Sequence, residues 1–414
     1  MNLTILLPVA VTAVGLYLLI RLRFFFILHP VRTASELMSG LRDREARRSL
    51  FLALAGTLGV GNIFGVAAGI MIGGAGSLFW LGVSSIFAMI IKYAETLLVF
   101  DSEINRGGTS ALIRSTFSRF GGVLSVLYAA FTLGLAFFMG GAMQSAALID
   151  TARQGLSLSP FITSVILLFL LIPCLVGGVR KIEKITEILI PLTTIIYIIM
   201  CLSVIILKIS NLCEVIKLIF SSAFTPSATI GGGVSLLALR EGFCRGILSN
   251  EAGVGTSALA HSRSMGRSAH SAGLFAMCEV VFDSLILCML TGVAILVSVP
   301  DISSFEAPMS LVIACFSSAL GGVCSYILPF VILAFAYSTI ICWYFYGAEC
   351  TSLYFPLLKG IYPIIFLTFV IFAPFLRSFF MLSVIDLLIL FMSVMTLSVI
   401  LKRGERIAEI KRRR

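Results

Sequence analysis

The residues in this chain with chemistry to offer lie inside apolar stretches. One stretch reads Ala55-Gly56-Thr57-Leu58-Gly59-Val60-Gly61-Asn62-Ile63-Phe64-Gly65, and another reads Arg245-Gly246-Ile247-Leu248-Ser249-Asn250-Glu251-Ala252-Gly253-Val254-Gly255-Thr256-Ser257. Each places glycines and a side-chain amide in mid-segment. Glycine costs about 1 kcal/mol relative to alanine inside a helix, so both read as helices broken near their middle. A break frees backbone carbonyls that can hold a cation and exposes N–H groups at a half-helix N-terminus that can hold an anion. In hydrocarbon those groups go unsatisfied unless the break lines a cavity. Gly59, Gly61, Asn62, Asn250 and Gly253 are therefore candidate binding residues. Close helix packing is the competing explanation for glycines in membrane spans, and it accounts equally well for Gly65, Gly69, Gly73 and Gly74.

Other polar residues sit at similar depth. Gln144 follows Gly140, Gly141 and Ala142 in an apolar, aromatic span and brings an amide with both donor and acceptor. Glu251 is an intramembrane carboxylate, which marks either a functional site or a buried structural anchor at the break. Glu279 and Asp283, four residues apart, share a helix face and need a cation or a proton, or else belong to a bracing network. Phe335, Ser338 and Thr339 offer a carbonyl and two hydroxyls as hard oxygen ligands; interhelical hydrogen bonding is their commoner use. Arg240, Glu241 and Arg245 are spaced to pair with one another or to line an outer vestibule. His29, His261 and His270 fall near span ends on the inner side, with nothing to suggest a metal.

The elements that must position these residues are membrane helices. Of 414 residues, 59% are hydrophobic and 12% charged, and the mean hydropathy is +1.09. A bilayer core of about 30 Å takes roughly 20 apolar residues per helix, and about eleven such stretches begin near Leu3, Ser49, Gly76, Gly122, Phe161, Glu187, Gly232, Ala269, Tyr326, Gly360 and Phe380. The net charge of +10 reflects topology rather than nucleic-acid binding. Setting the N-terminus outside leaves only Arg153, Lys208, Lys217 and Arg377 in outer loops and Arg240 and Arg245 within a span; the rest of the 30 Lys and Arg fall to the inner side. Leu3 to Ile20 reads as a retained first span rather than a signal peptide, because no basic residue precedes it and Arg21 and Arg23 follow. The ten cysteines lack disulfide or zinc spacing. No phosphate loop or catalytic constellation is visible, and no repeated filter or charged ring indicates a channel.

The two broken segments lie five spans apart and so run in opposite directions, as an inverted repeat of five helices plus five requires. The expected division is an N-terminal helix and basic inner loop over 1–48, a first repeat over 49–208, an outer connection over 209–231, a second repeat over 232–401 and a basic inner tail over 402–414.

Ala53-Leu54-Ala55-Gly56-Thr57 through Gly61-Asn62-Ile63, Gly74-Ala75-Gly76-Ser77-Leu78-Phe79-Trp80, Lys92-Tyr93-Ala94-Glu95, the Arg245 to Gly255 block, and Phe335 to Tyr346 with Gly347 and Glu349 closely resemble the alanine or glycine:cation symporter family. The resemblance spans nearly the whole chain. It implies an all-α, LeuT-like fold of ten core helices plus an N-terminal one, and Na⁺-coupled (less often H⁺-coupled) uptake of alanine or glycine, with D-alanine a further candidate. It also implies a multi-pass position in a bacterial inner membrane, and a working monomer is expected. Mapped onto the breaks, the substrate carboxylate meets Gly61 and Asn62, its ammonium meets the second break and Gln144, and Na⁺ bridges carbonyls near Ala55 and Leu58 to Phe335, Ser338 and Thr339. Two positions depart from the family pattern: Ser284 stands where threonine is usual, and Thr256 to His261 lacks a frequent proline.

Overall fold

The computed structural model describes residues 3–102, 104, 106–224, 233–261, 268–376 and 378–412. Gly232, Arg263, Arg267, Arg377, Arg413 and Arg414, which entered the span and charge assignments, lie outside the described residues. Among the described residues there is no strand.

The chain opens with α1 (Leu3–Arg21), the short α2 (Phe25–Leu28) and α3 (Pro30–Gly40). The first broken helix follows as α4 (Arg44–Thr57) and, after one irregular turn and a wide helical turn over Gly61–Gly65, α5 (Val66–Gly73). The Asp43 carboxylate starts α4 by accepting the Glu45 N–H at 3.1 Å. Next come α6 (Gly76–Asp101), α7 (Gly108–Thr116), α8 (Gly121–Leu135) continuing through a wide-turn stretch into α9 (Gln144–Leu156), and α10 (Pro160–Leu207). Ser159 caps α10 through the Ile162 N–H at 3.3 Å, with Pro160 at the first helical position.

The second half contains α11 (Leu212–Phe224), α12 (Gly233–Asn250), α13 (Ser257–His261), α14 (Ala269–Val280), α15 (Met289–Ser298), α16 (Pro308–Leu320), α17 (Cys324–Tyr354), α18 (Tyr362–Phe372), α19 (Ser378–Lys402) and α20 (Gly404–Arg412). Helices α14 and α15 are joined by a wide-turn stretch over Val281–Cys288.

Among the described residues six helical stretches are long and apolar enough to cross a bilayer, and a seventh is reached if the pair Arg44–Thr57 and Gly61–Gly73, bent by 47°, is taken as one span. At 48 residues α10 would reach about 72 Å, more than twice the bilayer core. It is interrupted at Gly178, whose φ of 67° is non-helical. The spans expected at Phe161 and Glu187 are thus two arms of one run, hinged at Gly178 rather than separated by a loop. Helices α11 and α16 were not anticipated; the first lies within the expected outer connection and receives the Trp80 indole N–H on the Ala223 carbonyl at 3.2 Å.

Two packing groups meet around the first break. Helix α6 packs most extensively against α12 and α14, while α5 lies on α12, and α4 on α13 and α14. In the other group α17 packs on α8, α9, α10 and α18. Helix α4 touches both groups through α17 and α10. Large apolar side chains on α10, including Phe169, Val176 and Ile195, point outward, as lipid-facing residues do. The polar side chains point inward: Asn62, Lys92, Glu95, Gln144, Glu279 and Asp283 are all buried. Lys92, grouped with the inner-side charges when orientation was read from the sequence, is in fact fully buried in α6.

Candidate functional site

At the first break, helical hydrogen bonding stops after Leu58, whose ψ of 79° turns the chain out of the helix. Adjacent glycines give the backbone room to turn and then rewind as the wide turn at Gly61. The freed groups find partners across the bundle. The Val60 N–H donates to Gln144 Oε1 at 2.8 Å, and the Gly59 N–H reaches Asn62 Oδ1 at 3.4 Å. The Leu58 carbonyl accepts from the Thr339 hydroxyl at 3.3 Å, and the Gly56 carbonyl from the Trp343 indole N–H at 3.3 Å. Gln144 is oriented in turn by the Met139 carbonyl, which accepts from its amide nitrogen at 3.2 Å.

Gly59, Gly61, Asn62 and Gln144 therefore lie together at this break. A Cβ on Gly59 would stand 2.6 Å from Thr339 Oγ1 and 2.9 Å from Gln144 Oε1, so only glycine fits this junction. Of the proposed ion ligands, Leu58 and Thr339 meet. The Ser338 hydroxyl donates to the carbonyls of Ala334 and Phe335, each at 2.9 Å, so Phe335 and Ser338 satisfy one another within α17. Ala55 is fully buried in the last turns of α4.

Asn62 also ties this break to the wide-turn stretch after α14. Its amide nitrogen donates to Asp283 Oδ1 at 2.5 Å and to the Asp283 carbonyl at 3.3 Å. The other carboxylate oxygen accepts from the hydroxyls of Ser249 at 2.6 Å and Ser284 at 2.7 Å. Ser284 thus supplies here the hydroxyl that a threonine would. Asp283 does not pair with Glu279, despite their spacing. Widened turns begin at Val281, and Glu279 is engaged by Lys92, Ser257 and His261.

The second break is built differently. Helix α12 ends at Asn250; Glu251 adopts a left-handed φ of 55°, and Gly253 and Gly255 have φ of 80° and 89°. Asn250 is committed locally: its side chain donates to Ser284 Oγ at 3.0 Å and accepts the Ala252 N–H at 2.9 Å, while its carbonyl accepts from Lys92 Nζ at 2.6 Å. The Gly253 N–H donates to Glu95 Oε2 at 3.2 Å. The Tyr128 hydroxyl donates to the Val254 carbonyl at 2.5 Å and Thr109 to the Gly255 carbonyl at 2.8 Å. The freed groups of this break are thus satisfied by side chains of α6, α7 and α8.

Arg245 pairs with Glu241 at 3.2 Å and, across to α19, with Asp386 at 2.7 Å; Arg240 approaches Glu241 at 3.7 Å. The four form an ion-pair network in which Glu241 and Arg245 are buried and Arg240 and Asp386 are partly exposed. His270 bridges Tyr93 and Glu36. His261, the last residue of α13, is fully buried beside Glu279.

Sequence reasoning gave no site role to Lys92, Glu95, Trp343 or Asp386. The first two and Asp386 carried a readable signal, since a charged residue in an apolar span marks a polar interior. Trp343 carried none.

The family described as the sodium:alanine symporter family matches residues 1–412. An uncharacterized transporter of Haemophilus influenzae is 32% identical over 358 residues, covering 83% of this chain and 78% of that protein. The sodium/alanine symporter AgcS of Methanococcus maripaludis is 30% identical over 358 residues, covering 81% and 78%. Among solved structures, a mutant of the manganese transporter of Eremococcus coleocola superposes with a TM-score of 0.58 at 17% identity, over 84% of this chain and 75% of that one, a likeness of fold alone. The chain belongs to the sodium:alanine symporter family, and it is a multi-pass membrane transporter of amino acids rather than an enzyme.

Proposed function

We propose that the protein is a Na⁺-coupled symporter that carries alanine, and also glycine or D-alanine, into a bacterial cell across the inner membrane, working as a monomer by alternating access. The observation that carries this reading is the meeting of Gly59, Val60, Asn62, Gln144 and Thr339 at one broken helix. The Gln144 carbonyl oxygen on the Val60 N–H occupies the place a substrate carboxylate would take at a half-helix N-terminus. When alanine binds, its carboxylate takes over the Val60 to Asn62 amides and Gln144 turns to its ammonium. Asn250 and Gly253 shape the far side of the site through Ser284 and Glu95 rather than touching substrate, since their backbone groups already have partners. The Trp343 ring, packed so closely on Gly140 that a Cβ there would overlap it, sets an upper limit on side-chain size.

Na⁺ binds where the Leu58 carbonyl meets Thr339, with Ala55, Phe335 and Ser338 completing an all-oxygen shell. Filling it joins α4 to α17, and so ties one packing group to the other. This shifts the population toward the substrate-competent state by the ion's preference for that state.

In this reading α1 precedes two inverted five-helix repeats over 49–208 and 232–401, joined through 209–231. The two arms of α10 count as separate crossings, for about eleven in all, with the N-terminus outside and the basic tail 402–414 inside. Uptake of labelled L-alanine, D-alanine and glycine into proteoliposomes, with and without an inward Na⁺ gradient, tests the reading. Sodium-driven accumulation is expected; no accumulation under a Na⁺ or an H⁺ gradient refutes it.

A further inference from the structure

Helices α9, α10 and α17 pack on one another. Helix α9 stops at Leu156, a short turn follows, and α10 starts at Pro160, with the first turns of α17, from Cys324, beside them. Between these ends the helices part into a groove of about 270 Å³, room for roughly nine waters. Leu148, Ala152 and Leu156, spaced four apart on one face of α9, form one wall; Leu167 of α10 and Phe330 and Leu333 of α17 form the others. Leu148, Ala152 and Leu167 are buried and make the floor, while Leu156 and Phe330 are exposed at the mouth. At one edge Gly155 brings α9 close against α17, where a Cβ would stand 3.1 Å from Pro329 Cγ.

The chemistry of the wall selects the occupant. Of the lining residues only Thr163 and Tyr326 have polar side chains; the Thr163 hydroxyl donates to the Ser159 carbonyl at 3.2 Å, and Tyr326 is exposed at the mouth, as an aromatic at a membrane interface is. An amino acid or an ion entering here would lose water and gain no partners, whereas a hydrocarbon chain loses nothing. From Leu148 to Leu156 helix α9 rises about 12 Å, less than half of a bilayer core of about 30 Å. The groove therefore lies within one leaflet, the outer one in the orientation proposed above. Hydrocarbon gains little by leaving the bilayer for an apolar groove, so selection among lipids falls to the headgroup. Arg153 follows Ala152 in the last turn of α9 and is exposed, on the side of the membrane from which most basic residues are kept. Its Asp150 neighbour, 3.8 Å away and also exposed, forms a loose surface pair, and a phosphate that accepts two guanidinium N–H groups is the stronger partner.

We propose that this groove seats one acyl chain of an anionic phospholipid whose phosphate is held by Arg153, and that the seated lipid braces α9, α10 and α17 at their working spacing. Gln144 lies one turn before Leu148 on α9, and Thr339 lies within two turns of Leu333 on α17. The two side chains that serve the first break, on the Val60 N–H and the Leu58 carbonyl, are thus carried by the helices that wall the groove. A chain in the groove fixes their separation, and an empty groove leaves α9 free to shift toward α17.

Full-length protein, stripped of lipid in detergent and offered phosphatidylglycerol and phosphatidylethanolamine in equal amounts, tests the assignment by native mass spectrometry. The unmodified protein is expected to retain one phosphatidylglycerol, favoured roughly tenfold over phosphatidylethanolamine, as one hydrogen bond to a charged group gives. Ala152→Phe fills the floor and should retain neither lipid. Arg153→Gln alters only an exposed side chain, so it decides the matter if Ala152→Phe misfolds, and it should retain the two lipids alike. In phosphatidylcholine proteoliposomes at a fixed Na⁺ gradient, added phosphatidylglycerol should raise alanine uptake by the unmodified protein severalfold and leave Arg153→Gln unmoved. No retained phosphatidylglycerol, equal retention of both lipids by the unmodified protein, or an undiminished preference in Arg153→Gln overturns the lipid site. Phosphatidylglycerol bound with no effect on uptake overturns the bracing role. Retention is read without transport, so failure of the symporter reading leaves the lipid site standing.

Discussion

The tie between Asn62 and Asp283 lends itself to a quantitative test. Replacing Asn62 with alanine removes its two donors to Asp283, the shorter at 2.5 Å, and strands Oδ1 while Ser249 and Ser284 continue to serve Oδ2. A hydrogen bond to a charged group contributes about 1.5–3 kcal/mol, and leaving a buried partner unsatisfied accounts for much of that loss. At 1.4 kcal/mol per factor of ten, Asn62→Ala should weaken alanine binding by roughly 10- to 150-fold. Asp283→Asn removes the charge that makes Asn62 necessary. In the double variant the alanine side chain no longer strands a carboxylate, so the two losses should not add. The coupling energy in a double-mutant cycle, read from alanine dissociation constants at saturating Na⁺ on purified protein, should be about 1–3 kcal/mol. Strictly additive losses, or normal affinity in Asn62→Ala, would show that this contact does not shape the site.

Three further changes probe other parts of the geometry. Gly59→Ala forces a Cβ against Thr339 Oγ1 and Gln144 Oε1; overpacking of this kind costs about 1–3 kcal/mol, and uptake should fall at least severalfold while the protein still reaches the membrane. Thr339→Ala removes the hydroxyl on the Leu58 carbonyl and should raise the Na⁺ concentration for half-maximal uptake more than the alanine KM, measured by titrating each at saturating levels of the other. Gly255→Ala meets both a φ of 89° and a Tyr128 hydroxyl 2.6 Å from the new Cβ, so a loss of folded monodisperse protein on detergent gel filtration is expected, beyond the roughly 1–3 kcal/mol of backbone strain alone.

Much of the first site was legible in the chain because its reasons are local. Glycines beside Asn62 announce a break at whatever position they occupy in a span, and a break announces unsatisfied backbone groups. Gln144 stood out as an amide in an apolar helix, and Thr339 as a hydroxyl pair with Ser338. The partners of these residues were not legible. Gln144 lies 84 residues from Val60, and Asp283 lies 221 from Asn62; nothing in either local sequence names the other. The partners at the second break were hidden for the same reason. Its residues resemble those of the first, yet a lysine from α6 fills its carbonyl end, and the shared helix face that the spacing of Glu279 and Asp283 suggested is undone by the wider turns from Val281, which leave Glu279 to Lys92 and Asp283 to Ser249.

By itself the sequence determined that this is a bundle of membrane helices, that two of its apolar stretches break near their middle, and that polar groups gather at those breaks. These follow from composition and spacing, because hydrocarbon tolerates only backbones whose hydrogen bonds are satisfied. The tertiary structure decided which partner satisfies each freed group: a glutamine amide and a threonine hydroxyl at the first break, a lysine ammonium and a glutamate at the second. That difference leaves the two breaks with unlike chemistry, and it arises only when helices distant in sequence are packed side by side.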